Sequence, residues 1–132
     1  MLARLPESFA VIGDVQWLPG YCVLLTDDVR VTRLSDLPRV RRLAFLESME
    51  RLGAAVEQAC AEHDPAFLRI NLEILGNTDP YLHAHIWPRY EWEPAGLRRM
   101  PVWLYPPARW KEPGPAPDAL RAAITARIAV PR

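Results

Sequence analysis

Residues 66–89 read Ala66-Phe67-Leu68-Arg69-Ile70-Asn71-Leu72-Glu73-Ile74-Leu75-Gly76-Asn77-Thr78-Asp79-Pro80-Tyr81-Leu82-His83-Ala84-His85-Ile86-Trp87-Pro88-Arg89. Two alternating runs flank one turn. In the first, Leu68, Ile70, Leu72 and Ile74 point one way and Arg69, Asn71 and Glu73 the other. Gly76-Asn77-Thr78-Asp79-Pro80 has turn chemistry. In the second run, Leu82, Ala84 and Ile86 share one side, and Tyr81, His83, His85, Trp87 and Arg89 the other. The pair predicts an antiparallel ribbon with one apolar face, against which a helix packs, and one polar, aromatic face.

Upstream, Phe45, Leu46, Met49, Leu52, Val56, Ala59 and Cys60 recur at steps of three and four. They predict a helix from about Pro38 to His63, capped by Ser35 or Asp36, with Pro38 in its first turn. Arg42, Glu47, Glu50, Arg51 and Glu57 fall on its solvated face. His63-Asp64-Pro65 ends it, and His63 is read as a solvated last-turn residue. Earlier still, Ser8–Val15 and Tyr21–Leu25, separated by Trp17-Leu18-Pro19-Gly20, predict a hairpin.

Nine of the 14 prolines fall at or after Pro88, and four of the five tryptophans at or after Trp87. Prolines at that density forbid a central strand, so the final third is expected to be ordered coil across the domain or at an edge. Residues 118–129 predict a closing helix with Asp118 as its cap. The fold class expected is α+β: about five antiparallel strands with one long helix on one face. The whole chain, 1–132, is read as one domain.

The chain has 16 basic and 16 acidic residues, so no broad positive field draws it to nucleic acid. No apolar run reaches the roughly 18 residues needed to span a bilayer, and none resembles a signal peptide. No membrane partner is expected, and the cytoplasm is the default compartment. Cys22 and Cys60 lack metal or redox spacing and are expected to be reduced, buried and inert.

Chemistry concentrates at His83 and His85, two residues apart on one pleat and hence roughly 7 Å apart on one face. Arg89, Asn71 and Arg69 share that face, and the Gly76-Asn77-Thr78 turn offers further donors. Imidazoles, an amide and guanidinium groups together suit a phosphate. Neutral imidazole is also a competent nucleophile toward phosphorus. The bland reading, a His-x-His accident or a metal pair, is commoner for that spacing alone. Trp17, Trp87, Trp92, Trp103 and Trp110 are expected mainly to pack, with Trp87 the first candidate to stack on a base. Arg98 and Arg99 are expected to be exposed.

Asn71, Gly76-Asn77-Thr78 and Tyr81–Arg89 together resemble the signature of the histidine-triad (HIT) superfamily, His-φ-His-φ-His-φ-φ with φ apolar, commonly followed by Pro-Arg. Pro19-Gly20-Tyr21 and Val23-Leu24-Leu25 resemble the family's Pro-Gly-His turn and following strand. The resemblance covers residues 8–90, and the tail from 91 to 132 resembles a bacterial subgroup labelled HIT-like or diadenosine-tetraphosphate hydrolase. It implies a nucleotidyl hydrolase or transferase. His83 would attack the α-phosphorus, and His85 would contact the phosphate and leaving group. Asn77, Thr78, Asn71 and Arg89 would lie around the phosphate, and Asp14 near the ribose. It also implies a nucleotide substrate, adenine-containing, a homodimer, and no tightly bound cofactor beyond Mg2+ accompanying a polyphosphate. Tyr81 and Tyr21 stand where the family has two supporting histidines, and a phenol does not readily take up a proton at neutral pH. That change motivates a second reading, a nucleotide-binding module with little catalysis. A third is a cupin-like metal site on His83, His85 and Glu91.

Overall fold

The computed structural model describes residues 1–130; Pro131 and Arg132, the end of the expected domain, lie outside the described residues. Five strands form one sheet in the order β1-β2-β3-β5-β4, every neighbouring pair antiparallel. They are β1 (Ala3–Leu5), β2 (Ser8–Ile12), β3 (Cys22–Thr26), β4 (Phe67–Glu73) and β5 (His83–Tyr90). Helix α1 (Arg39–His63) packs on one face, with α3 (Asp118–Ile128) beside it; α2 is the single turn Ala95–Arg98. The α+β architecture expected from the alternating runs and the long helical stripe is the one observed.

The register sorts side chains into two faces, because residues opposite one another in an antiparallel pair point the same way. Ala10, Leu24 and Ala84 form one row, and Ile12, Cys22, Ile86 and Leu72 another. Both rows meet the α1 stripe of Phe45, Leu52, Val56, Ala59 and Cys60 in the main core, except for Leu72 at the sheet edge, which stays 45% exposed. The next rows face away from α1. One is Val11, Val23, His85 and Glu73, and the other Phe9, Leu25 and His83. Both cysteines are free and buried.

Several local readings are corrected. β1 carries no strong strand signal, and its turn to β2 uses Pro6 and Glu7 rather than a glycine. Glu7 sits at φ 63°, where its carboxylate takes Arg41 at 2.9 Å while Ser48 Oγ donates to Pro6 O. Asp36 does not cap α1. Its carboxylate accepts the backbone N–H groups of Thr32 and Arg33 around a 3-10 turn at Leu34–Asp36, and Pro38 becomes the N-cap. Asp118 is the first residue of α3 rather than its cap, which is Pro117. The alternation of β4 breaks between Phe67 and Arg69, where a bulge leaves Leu68 unpaired and 50% exposed while Phe67 turns inward opposite Tyr90.

The proline-rich tail lies across the sheet face opposite α1. Trp17, Leu18, Tyr21, Trp87, Tyr90, Val102 and Tyr105 form a second core there. Its anchor is Arg89, 3% exposed. The guanidinium donates to the Glu93 carboxylate, to Asn71 Oδ1 and to the backbone carbonyls of Leu97, Arg98 and Met100. Glu93 also accepts from the Tyr90 N–H and the Tyr105 hydroxyl. Every charged atom is matched, as a buried ion pair requires. Replacing Glu93 with Ala strands the Arg89 cation and is expected to cost about 3–5 kcal/mol of unfolding free energy in urea titrations. A loss below about 1 kcal/mol would show that the pair is not the tail's anchor.

Candidate active site

Residues 13–21 place the first site residue. Gln16 is buried and braces this loop, its Nε2 donating to the carbonyls of Gly13 and Tyr21 and its Oε1 accepting the Gly20 N–H. Gly20 has φ +98°, a conformation few side chains adopt, and turns the chain into β3. The Tyr21 ring lies so close over Gly13 that any Cβ there would collide with it. The same ring stacks on Trp87 with centroids 3.5 Å apart and planes 4° apart. Held on both sides, Tyr21 aims its hydroxyl at His85 Nδ1, 2.7 Å away.

His83 and His85 are 7% and 8% exposed, with ring centroids 4.9 Å apart. His83 Nδ1 lies 2.7 Å from Tyr81 O. A carbonyl only accepts, so Nδ1 carries the proton and Nε2 of the neutral ring keeps its lone pair. Burial, then the neighbouring His83, pushes the His85 pKa down to about 4, partly offset by the Asp79 carboxylate. Burial also pushes the Tyr21 hydroxyl far above the usual phenol value, with Asp14 adding to the effect.

Two clefts open on the pair. One, of about 360 Å³, is bounded by the turn Gly76–Asp79 and by Trp103. The other, of about 420 Å³, runs past Gly13, Asp14 and Tyr21. Asn77, Thr78 and Asp14 are thus on the histidine clefts, together with Tyr81 and Tyr21.

Arg89 and Asn71 are not. The expectation that they surround the phosphate is corrected: they bond to each other, and the Arg89 cation is spent on Glu93 and the tail carbonyls. Trp87, 1% exposed and packed by Tyr21, Trp17, Trp103 and Trp110, has no free face for a base. Tyr21 and Tyr81 do not pair with each other; Tyr21 holds His85, and Tyr81 lends its carbonyl to His83. The metal trio also fails to assemble, since among the described residues no three His, Cys, Asp or Glu side chains are placed to hold an ion.

Three residues escaped the sequence reading. Asp79 lines both clefts beside the histidines. Glu73 stands opposite His85 across β4 and β5; burial pushes its carboxyl above its ordinary value, against the hydrogen bond from Trp103. Trp103 is 5.1 Å from the His85 ring at 79°, stacks on Trp110, and walls both clefts. The alternation that put Glu73 on the histidine face was the available signal for it; nothing in a coil segment announces where Trp103 lands.

Among the described residues no helix is long and apolar enough to cross a membrane. None of the curated proteins matches the chain in sequence. Solved structures do. A histidine-triad protein from Bradyrhizobium japonicum superposes with TM-score 0.74 at 21% identity, covering 96% of this chain and 88% of that one. One from Sinorhizobium meliloti gives 0.73 at 20%, covering 96% and 84%. A Hit-like protein involved in cell-cycle regulation from Bartonella henselae gives 0.64 at 15%, covering 96% and 84%. At these identities the likeness is one of fold. The sequence pattern of the HIT domain matches residues 3–92, a span that holds all five strands, α1 and both site histidines. The chain therefore belongs to the HIT domain family, whose members are generally nucleotide-binding hydrolases and transferases, some HIT-like proteins being non-catalytic.

Proposed function

We propose that this chain is a nucleotidyl hydrolase or transferase acting at the α-phosphate of an adenine nucleotide through a covalent nucleotidyl-His83 intermediate. The observation that carries the reading is the Nδ1 contact of His83 to Tyr81 O, which leaves Nε2 as the free nucleophilic nitrogen beside an open cleft. In this reading the nucleoside lies in the cleft that holds Asp14, with its ribose near that carboxylate. The α-phosphate sits over His83 and His85, and the leaving group extends toward Asn77 and Thr78. A polyphosphate chain enters as its Mg2+ complex. Water or another acceptor attacks the intermediate from the side the leaving group vacated, so two in-line displacements retain configuration at phosphorus.

The active unit in this reading is a homodimer formed at the β4 edge. β4 ends the sheet, with one side of its backbone unpaired, and Leu68 and Leu72 stand exposed along it. An apolar sheet edge of this kind is a template for a second strand. The two supporting histidines are replaced by Tyr21 and Tyr81, which favours a second reading, a nucleotide-binding module with little turnover.

Replacing His83 with Asn is expected to lower turnover of diadenosine polyphosphates at least about a thousandfold. The adduct seen by mass spectrometry on His83 should vanish, while adenosine monophosphate binding by calorimetry changes little. Tight binding by the unaltered protein without turnover or adduct would favour the binding module instead. Light scattering is expected to give a dimer for the unaltered chain and a monomer for Leu68→Lys with Leu72→Lys; a monomer in both would remove the edge from the proposal.

A further inference from the structure

The second histidine carries more information than its distance from the first. Among the described residues, the Tyr21 hydroxyl has one hydrogen-bond partner, His85 Nδ1. A buried hydroxyl must place its proton on an acceptor or forfeit the cost of desolvating it. Nδ1 is the only acceptor offered, so Tyr21 donates and the proton of neutral His85 resides on Nε2. The two rings, 4.9 Å apart, therefore present opposite faces of imidazole chemistry: a lone pair from His83 and an N–H from His85.

Resting on the reading above, we infer that Tyr21 acts as a positioning residue that locks His85 as a hydrogen-bond donor rather than an acid. The site is thereby matched to phosphoanhydride substrates and selects against phosphoramidates.

The proton count behind this is short. The His83 Nε2 pair forms the N–P bond as the bond from phosphorus to the leaving group breaks. In an anhydride that pair stays on a phosphate oxygen, which departs as an anion and needs no proton; the His85 N–H can hydrogen-bond to it. In a phosphoramidate the pair stays on nitrogen, which leaves only as an amine and so must gain a proton. Giving up its Nε2 proton would turn His85 into an anion unless Tyr21 supplied a replacement, and burial disfavours the tyrosinate. In the second step water forms the O–P bond, the N–P pair returns to Nε2, and the water proton passes to solvent.

The other ionisable groups facing His85 do not fill the gap. Asp79 and Asp14 lie on the clefts as exposed carboxylates, and Tyr81 is a second phenol. Glu73 has its carboxyl pushed upward by burial but is held by Trp103 and lines the neighbouring cleft along β4 instead. A histidine at position 21, by contrast, can be cationic near neutral pH and pass a proton to His85 Nδ1.

The test compares diadenosine triphosphate with adenosine 5′-phosphoramidate, which share the transferred group. General acid catalysis is worth about a hundredfold or more, so the unaltered protein is expected to prefer the anhydride by at least that factor in kcat/KM. Tyr21→His should raise the phosphoramidate rate about tenfold, increasingly below pH 7, without an equal gain for the anhydride. Glu73→Gln should leave the preference in place. Equal turnover of both substrates by the unaltered protein, or one common factor for both in Tyr21→His, overturns the inference. Nitrogen NMR of the imidazoles reads the lock without turnover. His85 is expected to hold its proton on Nε2 from pH 5 to 8, and to lose that fixed tautomer in Tyr21→Phe. A proton on Nδ1, or titration near the ordinary histidine value, overturns it as well. Absence of turnover with either substrate, and of any adduct on His83, overturns the function proposed above along with this selectivity, and is thus distinct from equal turnover of the two.

Discussion

The enclosed ion pair between Arg89 and Glu93 is the constraint from which the far side of the molecule follows. A cation at 3% exposure is tolerated only because its donors find a carboxylate, an amide oxygen and three backbone carbonyls. Those carbonyls belong to residues 97–100, so satisfying the charge also fixes the path of the tail. That path carries Trp103 to His85 and Tyr105 to Glu93. One end of β5 holds the histidines, the other holds the anchor, and the strand between them links the stability of the tail to the shape of the clefts.

A second chain of dependence runs from the other side. Gln16 gathers the loop, Gly13 leaves room for a ring, and Trp87 receives that ring face to face. Together they deliver one hydroxyl to one nitrogen. Trp87 and Arg89 thus serve the site indirectly: one supports Tyr21, and the other holds the wall that contains Trp103.

The sheet, α1, α3 and the placement of both histidines on one face were legible because each rests on a period: two for the strands, three to four for the helices. The turn residues Asn77 and Thr78 were legible as neighbours of the histidines because a short connection cannot carry them far, whereas Asp14 was placed there only by the resemblance to the histidine-triad superfamily. What stayed hidden has no period. β1 is three residues long and is followed by a turn whose strained residue is glutamate, a choice that makes sense only once Arg41 is seen beside it. The function of Arg89 was misread because the motif strand shows which face the guanidinium occupies but not what the coil brings to meet it. Glu93, four residues on, has no meaning in sequence until the chain is seen to turn back after Tyr90.

The aromatic cluster on that face has an optical consequence. Trp17, Trp87, Trp103 and Trp110 lie within 4.9–6.3 Å of one another as neighbouring ring pairs, whereas Trp92 stacks apart on Tyr90. Indoles this close exchange excitation energy, and the outermost of them stands edge-on to His85. Light absorbed anywhere in the group therefore samples the cleft wall, and the ultraviolet emission of the native chain is a built-in reporter both of occupancy beside the imidazoles and of release of the tail.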